Sequence, residues 1–148
     1  IVLRWSQWKQ QDFSARLADT PEALEAFLAP LAAAGVDCFH CSTRRYWEPE
    51  FEGSELNLAG WTKKLTGLPT ITVGSIGLDT DFISTYGSDE TAGTRGIDDL
   101  VRRLEADEFD LVAVGRALIA NPDWPQRVRA GDLQDLATYE RGMLAELV

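Results

Sequence analysis

Four short runs rich in β-branched and aromatic residues recur with starts about 35 to 40 residues apart, and this spacing limits the fold more than any other feature. They are Ile1-Val2-Leu3-Arg4-Trp5-Ser6, Val36-Asp37-Cys38-Phe39-His40-Cys41, Thr70-Ile71-Thr72-Val73 and Asp110-Leu111-Val112-Ala113-Val114. The interval is that of one strand–helix unit with its loops. The first run ends in Ser6, and the others run directly into Ser42, Gly74 and Gly115, as buried parallel strands do. None is followed by a two-residue hairpin turn, which argues against antiparallel pairing. The pattern predicts repeated β-α units around a parallel sheet.

The intervening segments carry helix signals. Thr20 is suited to cap a helix, with Pro21 at its first position and Glu22 at the positive end of its dipole. Leu24, Phe27, Leu28 and Leu31 then recur at i, i+3, i+4 and i+7, one apolar stripe. Gly35 closes that helix, and Pro30 inside it predicts a kink. A second helix is expected from Leu58 to Leu65, stopped by Gly67 and Pro69. A third is expected to bury Ile97, Leu100, Val101 and Leu104, with Asp98 and Asp99 in its first turn. Asn121-Pro122 reads as a turn, and Gln126 to Ala130 as a short helix ended by Gly131. Two loops exceed what connection needs, Ser42 to Leu56 and Gly77 to Gly96, and long loops after strands concentrate function.

Composition narrows the partners. The chain has 148 residues, 45% of them apolar, and a formal net charge of −10. Gripping a nucleic-acid backbone needs clustered Lys and Arg, whereas Arg44-Arg45 and Arg102-Arg103 are isolated pairs. No apolar run approaches the roughly 20 residues of a membrane-spanning helix, and the expectation from the opening residues is that no signal peptide is present. Cys38 and Cys41 are too few for a disulfide scaffold, so a reducing cytoplasm is the expected location. The single methionine is Met143 and the chain opens on Ile1-Val2-Leu3. These features lead to the expectation that residues 1–148 are one piece of a longer protein.

In parallel α/β folds the chemistry gathers at the carboxyl ends of the strands. The third run ends Val73-Gly74-Ser75-Ile76-Gly77 and the fourth Val114-Gly115-Arg116-Ala117. Glycines admit a ligand to the backbone, N–H groups at a helix start attract an anion, and a guanidinium matches phosphate bidentately. The matched pair of ends favours a phosphate site. Its rival is two tight turns, with Arg116 paired to an acid such as Asp123. Arg4, between Leu3 and Trp5, is either an ion pair within a buried layer or a fixed cation facing a cofactor. Cys38 and Cys41 spell C-x-x-C, but residues three apart on a strand face opposite sides and no second ligand pair exists, so neither a redox motif nor a metal site is expected. His40, the only histidine, is either a satisfied strand-end residue or part of a pocket. No strand end carries the paired carboxylates of a glycosidase. Gly74-Ser75-Ile76-Gly77 does not match the dinucleotide fingerprint.

Together these segments resemble the Old Yellow Enzyme family of flavin-dependent oxidoreductases. The resemblance is carried by Leu3-Arg4-Trp5-Ser6-Gln7, by Phe39 through Pro49, by Thr72 through Gly77 and, most specifically, by Leu111 through Pro125. It implies an α/β fold, the C-terminal half (strands 5–8) of a (β/α)8 TIM barrel that binds FMN. It implies that Arg4 lies against the flavin, that Gly74, Ser75, Gly115 and Arg116 hold the FMN phosphate, and that Tyr46 and Trp47 line the substrate side. The implied reaction passes hydride from NADH or NADPH to flavin and on to an activated alkene or enone. The family's substrate-holding and proton-donating residues belong to the first half of its barrel, so no catalytic residue is expected here. Two other readings stay open: a phosphate-binding sugar-phosphate isomerase or aldolase without flavin, and a catalytically inert half-barrel. Four strands alone would leave two unpaired edges, so the expected partners are the other half-barrel or a second copy, besides a small-molecule substrate.

Overall fold

The computed structural model describes residues 1–9, 12, 14–81 and 91–145. The four runs form strands β1 (Val2–Trp5), β2 (Cys38–Ser42), β3 (Thr70–Val73) and β4 (Leu111–Val112). They pair in sequence order as one wholly parallel sheet, β1-β2-β3-β4. The described helices are α1 (Pro21–Ala33), α2 (Leu58–Thr66), α3 (Asp98–Glu105), α4 (Arg116–Ala120) and α5 (Trp124–Ala130), with a 3-10 turn at Arg141–Ala145. Two compact units result. One comprises Ile1–Gly74 with Asp99–Ala113, and the other Ser75–Asp98 with Val114–Val148.

The first unit holds the sheet. Registration places Arg4 beside His40, His40 beside Ile71, and Ile71 beside Leu111. Strand side chains alternate between faces. Trp5, Phe39, Cys41, Thr70 and Thr72 are therefore buried on the face covered by helices, where α2 packs on β2 and β3 and α1 packs on α2. The other face carries Val2, Arg4, Cys38, His40, Ser42, Ile71 and Val73. It is open: Val2 is 61% and Leu111 56% exposed.

Local chemistry sets the helix ends. Thr20 accepts a hydrogen bond from the Ala23 amide with Pro21 at the first helical position, a cap that stabilises by about 1 kcal/mol. Asn57 caps α2 by accepting from the Gly60 amide, and Gly67 ends it in the left-handed conformation at φ 68°. Pro30 sits inside α1, which continues to Ala33.

Helix α3 departs from expectation. Ile97 and Leu100 are buried, but Val101 and Leu104 are 41% and 40% exposed, and the third buried position belongs to Arg103. Arg103 is buried because its charge is matched. It bonds both carboxylate oxygens of Glu108 at 3.0 and 3.1 Å, Asp99 at 3.0 Å and the Glu55 carbonyl at 3.0 Å. Burial pushes the Asp99 carboxyl up, but bonds from Arg102 and Arg103 outweigh it and leave the group below its ordinary value.

The second unit is organised around Asn121 and Tyr139. The Asn121 side chain accepts from the Ala137 amide and donates to the Ala137 carbonyl, at 2.8 and 3.0 Å. Ala92 and Tyr139 exchange backbone bonds at 3.1 and 3.2 Å. Gly77 lies close beneath Trp124, where an added Cβ would come within 3.2 Å of the indole nitrogen. Residues 82–90 of the long Gly77–Gly96 loop lie outside the described residues; its flanks meet in an antiparallel bridge between Leu78 and Thr94. Helix α4 begins at Arg116 directly after Gly115, a helix that apolar spacing did not reveal because it is five residues long.

Candidate functional site

Arg4 stands on the open face of the sheet and is exposed, not enclosed in a buried strand as the sequence suggested; of its neighbours Trp5 is buried and Leu3 half-buried. Its Nη2 donates to the Ser42 hydroxyl at 3.2 Å. Among the described residues it has no carboxylate partner, so the ion-pair reading of Arg4 finds no support. His40 is its registered neighbour on the same face. The His40 Nε2 is buried without a hydrogen-bond partner among the described residues. Burial, and then the charge of Arg4, hold the imidazole below its ordinary pKa, favouring the neutral ring. A cation and an orphaned ring nitrogen thus share one stretch of open sheet.

Gly74 follows β3 within this unit. A Cβ there would collide with the Thr43 hydroxyl and come within 2.8 Å of the Thr43 carbonyl, while the Gly74 carbonyl accepts from the Tyr46 amide at 3.0 Å. Its missing side chain is accounted for by the neighbouring loop, so Gly74 has a turn-packing role whatever else it does.

Tyr46 and Trp47 lie in the loop after β2, ring against ring edge-on with centroids 5.2 Å apart. Tyr46 is 1% exposed. Its carbonyl accepts from Asn57 Nδ2 at 2.8 Å, and the Trp47 carbonyl accepts from Arg103 at 3.4 Å. The Asn57 amide in turn donates to Glu108 at 3.0 Å. The Asn57–Arg103–Glu108 group therefore fixes the backbone of the aromatic loop. Sequence reasoning missed it, although Arg103 continues the i, i+3 spacing of Ile97 and Leu100.

The buried sulfur of Cys41 donates to Thr62 Oγ1 at 3.4 Å, and burial pushes its thiol up to about 12. Cys38, on the opposite face, is half-buried, and burial raises it too. The two cysteines do not act as a pair. Among the described residues no cluster of His, Cys, Asp or Glu could hold a metal ion, and no helix is long and apolar enough to cross a membrane.

In the second unit, Arg116 and Ser75 come together across a long stretch of sequence. Arg116 Nη2 donates to the Thr80 carbonyl at 2.6 Å and to the Ser75 hydroxyl at 3.4 Å, and Nη1 donates to the Asp81 carbonyl at 3.2 Å. The guanidinium also sits 5.7 Å from the centre of the Tyr139 ring. Burial pulls its pKa down from the ordinary arginine value, against the pull of Tyr139, Asp81 and Asp79. Ser75 holds a left-handed backbone at φ 52°, a conformation non-glycine residues adopt at a cost of about 1–3 kcal/mol. Gly115 is exposed, and a Cβ there would meet nothing within 4 Å.

No family model and no curated protein matches the chain. Among solved structures it is similar to morphinone reductase in complex with tetrahydroNAD, at 22% identity over 96% of this chain and 31% of that one, with a TM-score of 0.59. It is also similar to a mutant of that reductase in the same complex, at 25% identity over 94% of this chain and 30% of the other, with a TM-score of 0.51. The chain thus spans about a third of the length of these reductases. Its fold is that of one part of the morphinone reductase barrel, a member of the Old Yellow Enzyme family that the sequence resembles.

Proposed function

We propose that this chain is the phosphate-binding part of an FMN-dependent oxidoreductase that passes hydride from a nicotinamide nucleotide to an activated alkene or enone. The observation that carries the reading is the Arg116–Ser75 contact beside the unobstructed backbone of Gly115. It supplies a half-buried cation and a hydroxyl beside a glycine with room at its Cα, within one compact unit. Ser75, Gly115 and Arg116 would hold the phosphate; Gly74 keeps the supporting amide role that the resemblance gives it.

Arg4 and His40 fit a polar, electron-rich ring edge. The guanidinium has no competing carboxylate among the described residues, and the buried Nε2 lacks a partner that a bound group could provide. A buried polar atom without a partner costs about 1–3 kcal/mol, so a ligand satisfying it gains binding energy. When bound, the flavin supplies the two-electron chemistry, and the protein's share is to hold and orient it. A cation beside the ring favours its reduced, anionic state. Trp47 would line the substrate side, its backbone held by Arg103, whereas the ring of Tyr46 is buried edge-on against it and has no surface to offer a substrate.

The test is flavin retention by the full-length protein. It should purify yellow. Arg116→Ala should weaken FMN binding by about 1.5–3 kcal/mol, the loss of a charge-assisted hydrogen bond and roughly ten- to a hundredfold in Kd. A colourless wild-type protein that cannot be loaded with FMN would defeat the reading.

A further inference from the structure

We propose that Arg103 and Glu108 are positioning residues for the substrate: themselves buried, they hold the loop that carries Trp47 and thereby set how tightly an enone binds. The effect on the enone rests on the flavoenzyme reading; the tie between the ion pair and the loop does not.

The loop over residues 46–57 leaves β2 and returns to α2, and both of its ends meet at the ion pair. At the outgoing end, Arg103 Nη2 donates to the Trp47 carbonyl at 3.4 Å. At the returning end, Arg103 Nη1 donates to the Glu55 carbonyl at 3.0 Å, and Glu108 Oε1 accepts from the Asn57 amide at 3.0 Å. Asn57 closes the neck, its Nδ2 donating to the Tyr46 carbonyl at 2.8 Å and to the Thr72 hydroxyl at 3.2 Å. Trp47 is half-buried, and its ring stands edge-on to the buried ring of Tyr46. The direction of the indole therefore follows the backbone that the pair holds.

The pair suits this task because it is rigid. Its side chains are 6% and 8% exposed, so the solvent screening that weakens surface pairs does not reach them. One planar fork serves Glu108, Asp99 and two carbonyls at once, which an ammonium group cannot do. Glu108 has no room to retreat toward α2, where a Cβ on Gly60 would lie 2.7 Å from its Cγ. The tip of the loop is tethered separately: Glu50 is held by Arg16 and accepts from Gln7 Nε2 at 3.1 Å. With the tip tied, slack introduced at the neck is concentrated at Tyr46 and Trp47. A misplacement of about 1 Å in a positioned group costs up to about a hundredfold.

The experiment follows reduction of 2-cyclohexenone by NADPH in the full-length, FMN-loaded protein, with rates taken per bound flavin. Arg103→Lys keeps a charge for Glu108 but loses the fork. Gly60→Ala pushes on Glu108 and leaves Arg103 in place. Each should raise the KM for the enone about tenfold while kcat stays within about twofold, the pattern of lost uniform binding. On a Trp47→Ala background neither substitution should raise KM by more than about twofold further, because the pair acts through that ring. In the flavin-free protein, amide hydrogen exchange of residues 46–57 should quicken in both variants by a larger factor than that of α1. An unchanged KM, or an increase that persists in full without Trp47, overturns the positioning role and leaves the flavoenzyme reading standing. Exchange that rises equally in the loop and in α1 overturns the tie and reduces the pair to a general stabiliser. A protein that takes up no FMN sinks the flavoenzyme reading and the effect on the enone with it, while exchange still decides the tie.

Discussion

Arg4 and Arg116 look alike in the sequence, each a single guanidinium among apolar neighbours, yet folding gives them different surroundings. Strand alternation turns Arg4 out of the layer that buries Trp5, leaving it with Ser42 and beside His40. Arg116 is half-buried and binds the Thr80 and Asp81 carbonyls. Its removal therefore loosens the 75–81 segment as well as any anion held there. Gly74 shows the reverse separation, because its lack of a side chain is required by Thr43 even without a ligand. Gly74→Ala should destabilise the flavin-free protein by about 1–3 kcal/mol, the usual cost of overpacking, read as a lower urea midpoint. An unchanged midpoint would return Gly74 to a purely ligand-directed role. The cysteines give a pH-dependent test. In the unfolded chain Cys41 ionises near 9.0, whereas in the fold it stays protonated to about 12. Its contribution to stability is thus intact below pH 9 and declines as pH climbs from 9 toward 12, because only the unfolded chain releases the proton. Iodoacetamide at pH 8.5 should label Cys38 before Cys41, with Cys41 labelled only on unfolding, as mass spectrometry of the peptides would show.

Among the elements, α3 is the clearest case of an apolar pattern overridden by charge. Apolar spacing placed Val101 and Leu104 inside, but Glu108 reaches back from the turn after the helix and draws Arg103 into the interior. The helix rotates to bury one satisfied ion pair in place of two aliphatic side chains. Removing one partner of such a pair costs about 3–5 kcal/mol, because the other charge is left buried. Arg103→Met should therefore lower stability by that amount in chemical denaturation, and adding Glu108→Leu should recover part of it. Strict additivity of the two substitutions would mean that the pair is not coupled. The same variant bears on function, since Arg103 holds the Trp47 carbonyl. Local signals announced α1 and α2, the first by Thr20, which accepts an amide bond as its cap, and the second by Gly67, which ends it. Caps are local, so a sequence displays them; helix α4 has no side-chain cap and was not foreseen.

At the scale of the whole molecule, the sheet has two edges, β1 and β4, and one open face bearing Val2 and Leu111. Unpaired parallel edges beside exposed apolar side chains favour association. Residues 1–148 on their own should bind a hydrophobic dye and scatter light in proportion to concentration. A dye-silent, monodisperse monomer in light scattering would show that this face does not govern its behaviour. Fold class and parallel pairing were legible without coordinates, because 35- to 40-residue periodicity and the turn residues after each run act over short distances along the chain. The same held for the opposed cysteines, since a strand's two-residue repeat is fixed by its backbone. Tertiary structure alone decided the exposure of Arg4, the turn of α3 and the bonds that occupy Arg116. Each depends on what distant segments bring alongside, and a side chain's charge acts only through the partners and the solvent that folding leaves around it.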